Sequence, residues 1–237
     1  MAELIPFGLR ERSDTLASAW VEFQTAELRG VIGWVNDYSE ALFSAEAALV
    51  ADAVAKRVRE FATGRKFAHI LLANFVTEPQ PLLSDDRRPL WPAGVIGSIA
   101  HSEKLAIVVG APDDSLLGVG VDLERNDRLR TTEQRLVLTE AEHDTLADHT
   151  HTPPHLTGTH YFCAKEAVYK AINPHARVMV DFQEVEINFE EHAHSGCFSF
   201  RARYLGPDAR TKHLDRGIGF CEPYQDHVLA HFKIPSP

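Results

Sequence analysis

The sequence predicts an α+β protein with two lobes. Helix-like segments at residues 40–73 and 159–173 are each followed by short apolar runs that are typical of strands. The segment "APDDS", near the midpoint of the 237-residue chain, separates the two halves. We therefore expect an N-terminal lobe at residues 1–114 and a C-terminal lobe at residues 115–237, each with a small, mostly antiparallel sheet and packed helices.

In the first half, apolar residues at spacings of three and four predict helix between residues 40 and 73. Gly64 is expected to interrupt this helix, with a second helix beginning at about Arg65. A Pro- and Asp-rich stretch at residues 76–94 predicts a loop. The runs "GVIGSIAH" and "KLAIVVGA" then predict two strands joined by a turn.

The second half opens with "LLGVGVDLE", which predicts a strand. One helix is expected over "TTEQRLVLTEAEHDTLA", from about Thr131, and another over "THYFCAKEAVYKAIN", ending before Pro174. Alternating apolar residues in "VEINF", "CFSFRARY" and "HVLAHFKI" predict three antiparallel strands. No sequence repeat between the halves is visible.

Charge and composition exclude several classes of function. The formal net charge of −10 argues against a generic nucleic-acid-binding protein, which needs a basic face. The sequence has no run of about 18 apolar residues, so we expect no membrane span. The first residues lack the apolar core of a signal peptide, and the three cysteines show no metal-like pairing. These features predict a cytoplasmic protein.

Asp122 and Glu124 stand at the end of the predicted strand "GVGVDLE" and are two residues apart, so they point to the same face. Two carboxylates on one face repel each other unless a cation lies between them, and a hard cation such as Mg²⁺ would serve. Taken alone, the pair is better explained by a strand that ends in solvent.

Glu166 and Lys170 favour the metal site over a strand that ends in solvent. They are spaced i, i+4 and share one face of a helix that is otherwise largely apolar. An ordinary surface ion pair would have the same spacing. However, three carboxylates that hold a metal, beside an ammonium that offsets developing charge, would suit metal-assisted phosphoryl transfer.

Further candidates lie in the first half. His101 ends the Gly- and Ser-containing run "WPAGVIGSIAHS", whose backbone could approach a ligand closely. Arg57 and Arg65 belong to a basic run and are suited to bidentate phosphate contacts, although a solvated helix face explains their spacing equally well.

These motifs carry a resemblance to a known family. "WPAGVIGSIAHS", "GVGVDLE" and "FCAKEAVYKA", in this order, resemble the signature blocks of the 4′-phosphopantetheinyl transferase superfamily. "KRVREFATGRKFA" and "RRPLWPAG" are similar to its enterobactin synthetase component D type, also described as Sfp-like. The resemblance implies a monomeric pseudo-dimer of two similar α/β lobes that binds coenzyme A in the cleft between them.

The resemblance also implies an activity: transfer of the phosphopantetheine arm to a serine hydroxyl of an acyl or peptidyl carrier protein, with release of adenosine 3′,5′-bisphosphate. It implies that Asp122, Glu124 and Glu166 hold Mg²⁺, or Mn²⁺ in its place. Glu166 or a metal-bound water would take the serine proton. Asp122, Glu166 and Lys170 are thus the expected catalytic residues. The residues implied to bind the coenzyme are Arg57, Arg65, Arg87 or Arg88, Ser98, His101 and Lys170.

The carrier proteins of this family are typically acidic, whereas this chain is itself acidic. A local basic surface formed by Arg125, Arg128, Arg130 and Arg135 is therefore expected to dock the carrier. Two other functions remain open at this point. One is a Mg²⁺-dependent phosphohydrolase acting on a nucleotide, and the other is a coenzyme-binding protein without catalytic activity.

Overall fold

A computed structural model describes residues 20–86, 88–177, 179–192, 196–207 and 209–236, with the side chains of 209–212 left out. The N-terminal half contains six strands: Trp20–Gln24 (β1), Arg29–Trp34 (β2), Ser84–Asp85 (β3), Arg88–Pro89 (β4), Val95–His101 (β5) and Leu105–Pro112 (β6). Its helices are Ser44–Ala48 (α1) and Ala55–Leu72 (α2). β1, β2, β6 and β5 form one antiparallel sheet in this order, while β3 and β4 form a separate short hairpin.

The C-terminal half begins with the long strand Leu116–Arg125 (β7). The helices Thr131–Val137 (α3), Glu140–Ala147 (α4) and Gly158–Ala176 (α5) follow. The remaining strands are Val185–Glu191 (β8), Phe198–Tyr204 (β9), Ile218–Tyr224 (β10) and His227–Pro235 (β11). They form a five-stranded antiparallel sheet with the order β7-β11-β10-β9-β8.

Three clusters of buried apolar residues show how the layers stack. One lies between α2 and the first sheet and includes Phe67 and Val108. A second joins residues of both sheets, among them Ile107 and Val121. The third lies between α5 and the second sheet. The order of layers is therefore helix, sheet, sheet, helix, and the α+β prediction with two sheet-containing lobes is confirmed.

Alternation along the central strands produces this stacking. On β6, Ile107 and Val109 belong to the cluster between the sheets, whereas Ala106 and Val108 face α2. On β7, Val119, Val121 and Leu123 face the other sheet. The intervening positions on β7 therefore face α5, because successive side chains of a strand point to opposite faces. Asp122 and Glu124 are two of these positions.

The predictions for individual strands and helices were partly confirmed. The strands β5 to β9 and β11 were predicted within a few residues, but β1, β2 and β10 were not predicted, and the short β3 and β4 lie in the segment predicted as a loop. The break predicted at Gly64 is wrong, because α2 runs through it. A Cβ at Gly64 would lie 3.1 Å from Cγ2 of Ile99, so this glycine serves close packing between α2 and β5. The chain leaves helical geometry earlier, between α1 and α2.

Two further helix predictions need correction. The single helix expected from Thr131 is two helices, because Thr139 has extended geometry and caps α4, with its hydroxyl accepting from the N–H of Glu142. The end expected before Pro174 is also wrong. α5 contains Pro174 and ends at Ala176, where Arg177 follows with a positive φ of 50°.

Candidate active site

Two glycines of β7 determine how closely α5 approaches this strand. A Cβ on Gly118 would lie 2.4 Å from the carbonyl oxygen of Ala171, and one on Gly120 would lie 1.9 Å from that of Ala167. Any side chain would therefore push the helix away. Because Asp122 is the next residue on the same face, this packing brings it beside the Glu166 and Lys170 face of α5.

Lys170 and Asp122 form a direct contact. The Lys170 ammonium donates to Oδ1 of Asp122 at 2.6 Å, while Oδ2 of Asp122 is buried and has no hydrogen-bond partner among the described residues. Burial disfavours the charge on Lys170, but the carboxylates of Asp122 and Glu166 outweigh burial and raise its pKa. Lys170 is therefore a cation held by acidic neighbours.

The other two carboxylates are poorly compensated. Burial, together with the charge of Asp122, raises the pKa of Glu124 to about 7. Burial also raises the pKa of Glu166, although Lys170 opposes this effect. Arg128 is the nearest balancing cation, with Nε 3.7 Å from Oε2 of Glu124. A cluster of this kind has an excess of negative charge that a bound cation would relieve.

The donor set fits a hard divalent ion. It consists of carboxylate oxygens only, which are the ligands that Mg²⁺ prefers, and one of them is a buried oxygen with no hydrogen-bond partner in the described part of the chain. Within the described ranges, no three Asp, Glu, His or Cys side chains are arranged to hold an ion as they stand. Asp122, Glu124 and Glu166 nevertheless line the same cleft, with Lys170 among them.

That cleft has a volume of about 860 Å³ and is lined by both lobes. Its C-terminal wall carries the acidic cluster and Phe162, and its N-terminal wall carries basic side chains from α2 and His101 from the end of β5. Seven of the site residues predicted from the sequence thus line one cleft: Asp122, Glu124, Glu166, Lys170, Arg57, Arg65 and His101. The functional role of each stays a prediction.

Arg65 is a buried cation on the N-terminal wall. Its guanidinium lies over the Phe61 ring at 4.3 Å and donates to Oγ of Ser84 at 2.7 Å. Burial lowers its pKa to about 10, and its Nε has no hydrogen-bond partner among the described residues. Such a buried, incompletely paired guanidinium is suited to an anionic ligand.

Glu46 is the buried counter-ion of Arg65. This fully buried carboxylate lies 3.9 Å from Nε of Arg65 and 2.8 Å from Nε2 of His69. It also accepts from the backbone N–H groups of Phe43 and Leu82. Glu46 lies three residues after the N-cap Phe43, but Phe43 has no side-chain acceptor, so the sequence lacks the signature of a capping box here.

His101 and Arg57 are joined on the same wall. Arg57 donates from Nη1 to Nε2 of His101 at 2.8 Å. Burial, reinforced by the charge of Arg57, lowers the pKa of His101 to about 4. His101 is therefore neutral near pH 7. Glu60 contacts both side chains and also lines the cleft. It was not among the site residues predicted from the sequence.

Two of the other predicted coenzyme-binding residues, Ser98 and Arg88, lie outside the cleft lining. Ser98 is buried outside the cleft lining, and its hydroxyl oxygen accepts from the N–H of Val121 at 3.1 Å, linking β5 to β7. Arg88 contacts Asp85 within the β3-β4 hairpin and does not line the cleft. Arg87 falls outside the described residues. Ligand binding by these three residues stays a prediction.

The predicted docking arginines, Arg125, Arg128, Arg130 and Arg135, are all exposed. Arg125 pairs with Asp127, with Nε to Oδ1 at 3.0 Å. Arg128 lies nearest the cleft, because it reaches Glu124 and its guanidinium lies 5.0 Å from the centre of the Phe162 ring. The arginines therefore extend from the cleft mouth to the last turn of α3.

Comparisons with known proteins agree with this geometry. A model of the 4′-phosphopantetheinyl transferase N-terminal domain matches residues 45–111, and a model of the 4′-phosphopantetheinyl transferase superfamily matches residues 118–230. The chain is 36% identical over 206 residues to the 4′-phosphopantetheinyl transferase Svp of Streptomyces mobaraensis, covering 85% of this chain and 82% of that protein.

Two further relatives are more distant or shorter in overlap. The 4′-phosphopantetheinyl transferase PptT of Mycobacterium tuberculosis is 35% identical over 165 residues, or 68% of this chain and 70% of that protein. Enterobactin synthase component D of Escherichia coli is 34% identical over 120 residues, or 49% and 55%. The chain belongs to the 4′-phosphopantetheinyl transferase superfamily and is a transferase of this class.

No helix among the described residues is long and apolar enough to cross a membrane.

Proposed function

We propose that the chain transfers the 4′-phosphopantetheine arm of coenzyme A to a serine hydroxyl of an acyl or peptidyl carrier protein, with Mg²⁺ held by Asp122, Glu124 and Glu166. The observation that carries this proposal is the charge distribution of the cleft. The acidic cluster and the Lys170 ammonium lie on one side of the cleft between the lobes. The opposite side, called the arginine wall, is formed by Arg57 and Arg65 together with His101. Coenzyme A has a pyrophosphate and a separate 3′-phosphate. Arginines are suited to the 3′-phosphate, and a cation held by the acidic cluster is suited to the pyrophosphate.

In this proposal the arginine wall binds the 3′-phosphate of coenzyme A. The buried guanidinium of Arg65 supplies fixed charge, and Arg57, which is half exposed and hydrogen-bonded to His101, supplies donors at the cleft surface. The cost of keeping Arg65 buried is offset by Glu46 and the Phe61 ring. The pyrophosphate is then placed toward the acidic wall.

The transfer forms a bond between the serine oxygen and the phosphorus that carries the pantetheine arm, and it breaks the pyrophosphate bridge. When bound, Mg²⁺ supplies charge neutralisation to the pyrophosphate oxygens. Glu166, which lines the cleft one helical turn from Lys170, accepts the serine proton. Lys170 stabilises the departing phosphate of adenosine 3′,5′-bisphosphate.

Several finer features belong to the same proposal. The lobe boundary lies at residue 114/115, between β6 and β7, and the chain acts as a monomer. The three described cysteines are free and buried, which supports a location in the cytoplasm. The relatives named enterobactin synthase component D support a carrier from a siderophore or other secondary-metabolite pathway.

An assay on apo carrier proteins tests the proposal. A panel of fatty-acid, polyketide and nonribosomal-peptide carriers is incubated with the enzyme, coenzyme A and Mg²⁺, and each carrier is weighed by intact-mass spectrometry. The proposal predicts a gain of one phosphopantetheinyl group on at least one carrier. Release of free phosphate without a mass gain would indicate a phosphohydrolase, and binding of coenzyme A without turnover would indicate a non-catalytic protein.

A further inference from the structure

Glu60 lies between Arg57 and His101 and has no role in the proposed function. Its carboxylate Oε2 is 3.7 Å from Nδ1 of His101 and 4.0 Å from Nη1 of Arg57. The side chain is 11% exposed, so water competes little for these contacts. The three residues form a closed triangle that connects α2 to the end of β5.

The hydrogen bond from Arg57 identifies the tautomer of His101. A guanidinium can only donate hydrogen bonds, so the 2.8 Å contact from Nη1 requires Nε2 of His101 to be an acceptor. A neutral imidazole with Nε2 free of hydrogen carries its proton on Nδ1. Nδ1 is the atom that faces Glu60, and a carboxylate is the acceptor that stabilises a proton there.

We propose that Glu60 is a positioning residue that holds His101 in the Nδ1–H tautomer and thereby fixes Arg57 for recognition of the 3′-phosphate of coenzyme A. In the other tautomer, Nε2–H of His101 would face the N–H groups of Arg57, and two donors repel each other. Arg57 is half exposed, so without the acceptor on His101 it would sample many rotamers. Glu60 therefore acts through His101 on the selectivity of the cleft.

This inference rests on the proposed function, because it assigns the arginine wall to the 3′-phosphate. It also modifies the role of His101. The imidazole is an uncharged acceptor that orients Arg57, and the charge that attracts the phosphate comes from Arg57 and Arg65.

Three variants separate positioning from a structural role. Glu60→Gln keeps an oxygen acceptor for Nδ1–H but has no charge, whereas Glu60→Met keeps the chain length and has no oxygen acceptor. Glu103→Gln is the matched control, because Glu103 pairs with exposed Lys56 outside the cleft. The tautomer of His101 is read from ¹⁵N chemical shifts in two-bond histidine NMR spectra, assigned by the loss of signals in His101→Gln.

Affinity is measured in parallel by calorimetry with coenzyme A and with 3′-dephospho-coenzyme A, in the presence of Mg²⁺. Glu60→Met should shift His101 away from the Nδ1–H form and raise the Kd for coenzyme A about tenfold, since Arg57 is then no longer held by an acceptor on His101. Its Kd for the dephospho compound should stay unchanged. Glu60→Gln and Glu103→Gln should keep both the wild-type tautomer and the preference for coenzyme A.

A wild-type His101 in the Nε2–H form would overturn the proposal even if no variant folded. An unchanged ratio of the two affinities in folded Glu60→Met would overturn it as well. Equal affinity of the wild type for the two compounds would instead contradict the proposed 3′-phosphate site, while the tautomer data would still decide whether Glu60 positions His101.

Discussion

At the scale of single residues, Ser98 shows how a position in a signature block can serve the fold. Its buried hydroxyl accepts from the N–H of Val121, which is itself fully buried. Ser98→Ala leaves that N–H without an acceptor, so we expect the free energy of unfolding to fall by about 1–3 kcal/mol in urea denaturation. The control Ser115→Ala, which removes an exposed hydroxyl bound to Pro112, should have little effect.

The same variant tests the ligand-binding role implied for Ser98 by the family resemblance. The contact with Val121 predicts that the KM for coenzyme A stays within about twofold of wild type once the folded fraction is taken into account. A large rise in KM at unchanged stability would place Ser98 among the ligand-binding residues instead.

His160 makes stability depend on pH. Burial lowers its pKa to about 4, below the ordinary value of 6.5, and its Nδ1 accepts from the N–H of Thr157. Because the unfolded chain takes up the proton first, the stabilisation is complete above about pH 6.5 and is lost as the pH falls toward 4. We expect His160 to contribute a loss of about 1 kcal/mol per pH unit to the slope measured in this window by urea unfolding. His160→Gln should show a shallower dependence, and an identical slope would contradict this assignment.

The acidic half of the site could be predicted from the sequence, and the support of the basic half could not. Strand and helix periodicity, which is local information, places Asp122 with Glu124 on one face and Glu166 with Lys170 on another. Their joint assignment to a metal site was implied by the family resemblance. Glu60 and Glu46 act through contacts with β5 and with Leu82, far from them along the chain. Nothing in the spacing of residues indicates which distant segment will cover a given helix face.

At the scale of elements, the approach of α5 to β7 builds the acidic wall. Gly120→Ala would place a Cβ 1.9 Å from the carbonyl oxygen of Ala167, where backbone must move. We expect a loss of at least about 1–3 kcal/mol of unfolding free energy, together with reduced transferase activity. Denaturation curves and turnover measured on the same samples check this.

Gly64→Ala is the matched control. Its added Cβ meets only a side-chain methyl of Ile99, at 3.1 Å, and alanine favours the helix by about 1 kcal/mol over glycine. Its stability should therefore stay close to wild type. Equal losses in the two variants would contradict the view that Gly120 is required by the helix approach.

The element boundaries that the sequence misplaced share a physical cause. Gly64 and Pro174 are helix breakers by propensity, yet both lie inside helices, and Gly64 is held there by packing against β5. Conversely, Thr139 begins a new helix because it forms a capping box with Glu142. Propensity is a weak signal where tertiary packing or a cap decides the outcome.

At the scale of the whole molecule, the two lobes repeat one buried arrangement. Glu46 and Glu142 are each buried near the start of a short helix, and each accepts from the residue three positions earlier and from one beyond the long helix. Each also contacts a cation of the long helix, Arg65 at 3.9 Å and Lys165 at 2.7 Å. The cation and the cap residue differ between the lobes, so this repeated arrangement could not be read from the sequence.

The overall charge of the chain constrains how it meets an acidic carrier. With a net charge of −10, attraction must come from a local surface, for which the exposed Arg130 and Arg135 are candidates away from the cleft. Arg130→Glu combined with Arg135→Glu should raise the KM for the carrier about tenfold at low salt and leave kcat nearly unchanged. Arg128 is unsuitable for this test because it contacts Glu124.

Steady-state kinetics at two salt concentrations provide the measurement. Arg216→Glu, a reversal at an exposed arginine on the 3₁₀ helix Ala209–Arg216, is the control and should leave the KM unchanged. An unaltered KM in the Arg130/Arg135 variant would exclude this surface from docking.

The most direct test of the central claim is the intact mass of an apo carrier after incubation with coenzyme A, Mg²⁺ and the Glu166→Gln variant. Glu140→Gln, an exposed carboxylate in α4, serves as the matched control. We predict that the wild type and Glu140→Gln add one phosphopantetheinyl group, whereas Glu166→Gln adds none although it stays folded by circular dichroism. Transfer by Glu166→Gln at a rate near that of the wild type would contradict the assignment of the acidic wall as the catalytic centre.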